Sequence, residues 1–368
     1  MARNSRQQFL ATMSAAEDTF KALFSGTAQA GARILQANAD STGKIPAAKG
    51  RAVREAVGRE ITILFLGSTG KGDLAPFDVI AGRVIPLSPY MAALWGAIQR
   101  VTRTAVDQQA NIMRKQLADA PDVLRAFEQA KRNPFADAKR VKEQTDWHKR
   151  PFADYDPVHR FVSPQGYTLS NRIWRTSVET RRKIDALLAE GIASGRSAFD
   201  MARELEQFLV PGRVLRRTTT PYGRDASADA MRLARTEITA AHSRAGVMAA
   251  GLNPFVSGAN IARSPSRRPC TTGVCDALEA GGPYTLENLP NIPGDSHPFC
   301  MCRYVWIITQ DVNALIDELR AGLPSIRMAG TAEPTLNVMD FIGPLLSGKF
   351  VDLLLNDPVD EFDMEYMQ

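Results

Sequence analysis

All four cysteines of this 368-residue chain fall between positions 270 and 302, together with one of its four histidines. They read Cys270-x4-Cys275, then twenty-one residues, then His297-Pro-Phe-Cys300-Met-Cys302. Two close pairs of soft ligands separated by a loop suit a tetrahedral metal ion, because the loop folds back and sets the second pair opposite the first. The ligand candidates are Cys270, Cys275, His297, Cys300 and Cys302, so either four thiolates or three thiolates and an imidazole complete a structural zinc site. Two disulfides, or buried reduced thiols, are the alternatives. Disulfides call for an oxidising compartment, which nothing else in the chain suggests. A catalytic zinc would keep a position open for water and draw more on His or carboxylate.

Thirty-odd residues upstream lies Arg232-Leu-Ala-Arg235-Thr236-Glu237-Ile238-Thr239, on a helix predicted over about 228–250. Its core stripe is expected to be Met231, Ala234, Ile238, Ala241, Ala245 and Met248. Arg235 and Glu237 are two apart, so they point to different sides of that helix and cannot pair along it. Each needs another partner, and ion pairs that clamp the helix to the Cys-rich module are expected. His242 on the same helix is a further candidate to face that module. An Arg-plus-Glu pattern also raises the alternative of an enzyme, a transferase or hydrolase working through Arg235, Glu237 and His242.

The order of "ARTE" helix, Cys pair, His297-Pro298-Phe299-Cys300-Met301-Cys302-Arg303 and apolar strand resembles the phage Mu F-like minor head proteins, the head morphogenesis family. The resemblance covers roughly residues 166–308. The lead-in "LSxRIW…IDALLAEGIASGRSAFDMARELEQFL" is similar too, where paired helices precede the "ARTE" helix. The first pair departs from the family, being C-x4-C where C-x2-C is common. The resemblance implies a structural component of the virion, associated with the portal and other head or connector proteins. It also implies a part in head assembly, DNA packaging or delivery, and a location in the virion after assembly in the host cytoplasm.

Length suggests two or three domains, and 44% hydrophobic content is ample for cores. The expected class is mainly α with a small antiparallel β element, the C-terminal α+β part carrying the Cys/His module and extended arms. The expected division is an N-terminal helical region over 1–132, a linker or arm over 133–165, the Mu F-like domain over 166–309, and a helix with an acidic tail over 310–368. No run of about eighteen apolar residues exists to span a membrane. The first residues are polar and lack the apolar stretch of a secretory signal, so a reducing cytosol is expected.

From Val351 to Gln368 there are six acidic residues and no basic ones; the preceding 350 residues therefore carry +11, against +5 for the whole chain. A basic body with an acidic tail suits nucleic acid or a charged assembly, and the resemblance makes phage DNA the candidate nucleic acid. Arg213, Arg216 and Arg217, in a Pro/Gly-rich loop, and Arg263, Arg267 and Arg268, just before Cys270, are the candidate nucleic-acid or partner surface. A DNA-binding module with this basic, zinc-stapled surface is the second alternative. The tail alternates acids with large apolar residues, a pattern that orders on a partner.

Along the rest of the chain, residues 5–38 predict an amphipathic helix with Phe9, Met13, Phe20, Leu23 and Phe24 inward. A second helix is expected over 46–60, followed by a strand-like or buried run Ile61–Leu66. The glycines after it do not form a phosphate loop, since only two residues separate Gly67 from Gly70-Lys71. The stretch 88–132 is expected to be helical from Ser88-Pro89, with a break or kink at Ala120-Pro121-Asp122 and a shorter helix from there to about Lys131. Ser170 is expected to cap a helix over 171–193 with Trp174, Val178, Ile184, Leu187 and Leu188 on one side, and Ser197-x-x-Asp200 to cap the next. The exit strand Arg303–Ile308 is expected to pair antiparallel with the chain around 252–262. No Ser-His-Asp order, Walker motif or HExxH helix is present, so a non-enzymatic role is the reading.

Overall fold

The structure is a computed structural model and describes residues 5–67, 76–80, 83–120, 122, 125–126, 169–210, 226–253, 255–263, 273–297, 300–308, 313–314 and 316–317. Within them the elements run α1 (Ser5–Asn38), α2 (Ala47–Leu66), β1 (Phe77–Ile80), β2 (Arg83–Pro86), α3 (Pro89–Asp119), α4 (Leu169–Ala193), α5 (Ala198–Leu209), α6 (Ala226–Leu252), β3 (Val256–Ala262), α7 (Val274–Ala280), β4 (Tyr284–Thr285) and β5 (Arg303–Ile308). The molecule is mainly helical with two small antiparallel sheets, β1-β2 and β4-β3-β5.

The helix α1 forms because its apolar residues recur every three or four positions. Phe9, Met13, Ala16, Phe20, Phe24, Ala28, Gly31 and Leu35 make one buried line down its length. Gly31 leaves room for Leu205 of α5, whose Cδ2 would lie 2.4 Å from an added Cβ. At the centre Tyr90 packs on Phe20 and Phe65, with ring centroids 5.0 Å apart in each case. Tyr90 also donates its hydroxyl to the Ala230 carbonyl at 2.7 Å, joining the start of α3 to the start of α6.

Apolar packing links described elements on either side of the expected boundaries at 132 and 166. One continuous apolar cluster runs from Phe9 through α2 and α3 to Ile184, Leu205 and Ala241. The helix α1 lies on α2, α3 and α5, α2 lies on α4, and α3 lies on α6. The N-terminal helices are therefore part of the same core as the "ARTE" helix, and α1 spends its apolar stripe within the chain. The arm expected over 133–165 and the tail from 318 lie outside the described residues.

Other expectations meet the structure locally. Ser88 caps α3 by accepting from the Met91 N–H, and Ser197 caps α5 by accepting from the Asp200 N–H. The run Ile61–Leu66 is helical, not a strand: it is the last part of α2, ended by Gly67 at φ +77°, whose N–H bonds the Ile63 carbonyl. Ile61, Leu64, Phe65 and Leu66 are buried by neighbouring helices, an environment that an apolar run alone cannot tell from a sheet. Ser170 sits inside α4, which begins one residue earlier. The buried line of α4 passes through Ile173, Ser177, Thr180, Ile184 and Leu188, leaving Val178 exposed. On α6 the line follows Ala241, Ala245 and Ala249, so Met248 faces outward. The expected pairing of β5 is present, antiparallel to β3 from Val256↔Ile308 to Ala262↔Arg303.

Candidate metal centre

The sheet β4-β3-β5 carries a second small core beside α6, made of Ala259, Ile261, Cys275, Ile292, Cys300, Cys302 and Tyr304. Cys275 enters it from the first turn of α7, while His297 and Cys300 come from the loop that feeds β5. Local bonds fix that loop. The Tyr304 hydroxyl donates to the Pro290 carbonyl at 2.8 Å and accepts from the Ile292 N–H at 3.1 Å. Asp295 accepts from the Asn291 N–H at 2.7 Å, and the Cys300 N–H reaches the His297 carbonyl at 3.0 Å.

The ligand atoms of Cys275, His297 and Cys300 all lie within 4.8 Å of one another. The Sγ atoms of Cys275 and Cys300 are 3.8 Å apart. A disulfide needs about 2.05 Å, and none of Cys275, Cys300 and Cys302 is disulfide-bonded. Two buried thiols and an imidazole at this separation can share one metal ion. The Cys300 thiol is lowered to about 5, first by the hydrogen bond from the Cys302 side chain, against the opposing effect of burial, and then by Ser296, the Cys302 backbone and the nearby His297. A thiolate is the form that binds metal. Cys302 thus touches Cys300 without joining the three-residue group, and it also lines a neighbouring pocket. Cys270 lies outside the described residues.

Arg235 and Glu237 both make ion pairs, and the partners seen among the described residues lie on α1 and α4. Arg235 Nε meets Glu17 Oε1 of α1 at 2.6 Å. Glu237, 5% exposed, accepts from Arg172 of α4. Residues two apart on α6 point towards different neighbours, and those neighbours are α1 and α4. Arg244, one of the charges around Glu237, is lowered to about 10 by burial, with Glu237 acting in the opposite direction. Neither Glu17 nor Arg172 could be found from the sequence, since they stand 218 and 65 residues from their partners.

His242 does face the module. It lines the pocket with Cys302, and its ring lies on Phe9 with centroids 4.6 Å apart. Burial, reinforced by the Arg6 charge, lowers it to about 4, so it is neutral at pH 7. Arg263 is engaged locally: its guanidinium pairs with Asp276 and its N–H donates to Glu279 at 3.1 Å, tying the end of β3 to α7. Arg213, Arg216, Arg217, Arg267 and Arg268 lie outside the described residues.

The chain matches no protein-family model, no curated protein and no solved structure. No helix among the described residues is long and apolar enough to cross a membrane.

Proposed function

We propose that this chain is a Mu F-like minor head protein of a tailed phage, a structural part of the virion that works at the portal in head assembly and in DNA packaging or delivery. The observation that carries the reading is the convergence of Cys275, His297 and Cys300 beside the β3-β5 ladder, with the "ARTE" helix packed against the same unit. Those three residues and that helix belong to the motif order that suggested the family. The ion pairs of Arg235 and Glu237 support a structural role for the motif, since both side chains brace α6 against other helices.

In this reading the metal is a structural Zn2+. Bonds of about 2.3 Å from a tetrahedral zinc set two thiolate sulfurs about 3.8 Å apart, and the Cys275–Cys300 separation is 3.8 Å. Cys275, His297 and Cys300 supply three ligands, and the fourth comes from Cys270 or Cys302. Such an ion joins α7 to the loop before β5, holding together a module whose apolar core is small. Phage DNA or acidic head proteins are the partners this reading expects for the basic body, with Arg213, Arg216, Arg217, Arg267 and Arg268 as candidates and Arg263 already paired with Asp276.

The test is to purify assembled particles from a lysate of the encoding phage and probe them for this chain. A low, fixed number of copies in particles, with particle or DNA-filling defects when the gene is disrupted, supports the reading. A chain found only outside particles, with normal particles in its absence, overturns it.

A further inference from the structure

In the sheet β4-β3-β5, β5 pairs with β3 alone among the described residues, so its outer edge has no ladder partner among them. That edge is not bare surface. The consecutive residues Cys302 to Trp306 form one wall of a pocket of about 370 Å3, whose other walls are α1, α3 and α6. Because side chains alternate along a strand, a wall made by consecutive residues is the strand's edge. Apolar Phe9, Ile112 and Trp306 line it, with Arg6 and Arg303 beside them. No carboxylate among the described residues pairs with either arginine. The buried Thr239 Oγ1 and His242 Nε2 also have no hydrogen-bond partner among the described residues.

Residues 361–366 lie outside the described residues; their sequence is Glu361-Phe-Asp363-Met-Glu365-Tyr366. Strict alternation of acidic and large apolar residues is the pattern of a strand with one wet and one buried face. We propose that the open edge of β5 receives this segment of the same chain as an added strand. Phe362, Met364 and Tyr366 continue the face of Tyr304 and Trp306 over Phe9 and Ile112. Glu361, Asp363 and Glu365 continue the exposed face that carries Arg303. The 52 residues between Ile308 and Glu361 are enough to reach any point of β5, and the tether raises the segment's effective concentration at the edge. This inference does not rest on the head-protein reading.

Hydrogen exchange of the full chain tests it. In the unaltered protein the amides of 361–366 are expected to exchange at least tenfold slower than in a Met364→Pro variant, which loses a ladder donor without changing charge. Arg303→Glu should speed the same amides, and so should the triple change Glu361→Lys, Asp363→Lys, Glu365→Lys. The tail changes leave every residue of the helical core unaltered, and exchange at the amides of α1 and α6 reports in the same experiment whether the fold is intact. Equal exchange in the unaltered and Met364→Pro chains overturns the proposal. Protection that rises with protein concentration also overturns it, by assigning the strand to a second copy.

Discussion

Arg235 Nε and Glu17 Oε1 are 2.6 Å apart although 218 residues separate them in the chain. Glu237, two residues further along α6, is held by Arg172 of α4. The two charges of one short motif therefore tie the helix that leads into the Cys/His module to the first and fourth helices.

The two pairs should differ in weight. The Arg235–Glu17 pair is partly exposed, at 34% and 23%, so Glu17→Gln is expected to cost about 1 kcal/mol. Glu237 is buried, and Glu237→Gln removes the charge that Arg172 meets there, at about 3 kcal/mol. Urea unfolding of both variants checks the order. An equal, small effect would contradict the clamp.

Phe20 is fully buried against Tyr90 in the shared core. Phe20→Ala should cost about 3–5 kcal/mol. Because α1 and α6 share one apolar cluster, the loss should move a single unfolding transition seen alike by probes in both halves of the chain. Two transitions, only one of them shifted, would restore the separate N-terminal domain.

How much of this was legible in the sequence depends on how far apart the partners stand. The stripe of α1, the caps Ser88 and Ser197, and the pairing of β5 with the chain before Arg263 follow from periodicity and local chemistry. The Cys/His gathering followed from spacing, although Cys302 sits beside the group and not in it. The run Ile61–Leu66 is buried as one of its two readings expected, but its helical form was not legible because so short and mostly apolar a stretch shows no clear period. The packing of α1 was not legible because α1 carries no mark of what it packs on; Leu205 fills the gap over Gly31 from 174 residues away. The pocket beside β5 is built from four separate elements and has no sequence signature.

His242 sets a pH dependence. Its folded value is depressed to about 4 from 6.5, so the unfolded chain binds the proton first as pH falls. The stability it contributes is fully present above about pH 6.5 and is lost progressively down to about pH 4, with a slope approaching about 1.4 kcal/mol per pH unit. Replacing His242 with Phe should flatten that part of the stability–pH curve. An unchanged slope would show that the imidazole is not shielded.

Gly258 lies where β3 and β4 meet, and an added Cβ would stand 2.1 Å from the Tyr284 carbonyl oxygen. Backbone cannot swing aside as a flexible side chain can. Gly258→Ala should therefore break the β3-β4 pairing and cost about 2 kcal/mol or more. Calorimetry, with proteolysis of the 281–302 loop as a second readout, checks it; wild-type behaviour in both would mean that β4 does not hold the module.

The metal content of the purified full chain, taken together with thiol titration before and after chelation, tests the account at its centre. The account predicts about one zinc per chain, with Cys275 and Cys300 protected until chelator is added, and loss of the metal in Cys275→Ser and Cys300→Ser. A metal-free protein whose thiols all titrate freely in the folded state would contradict it.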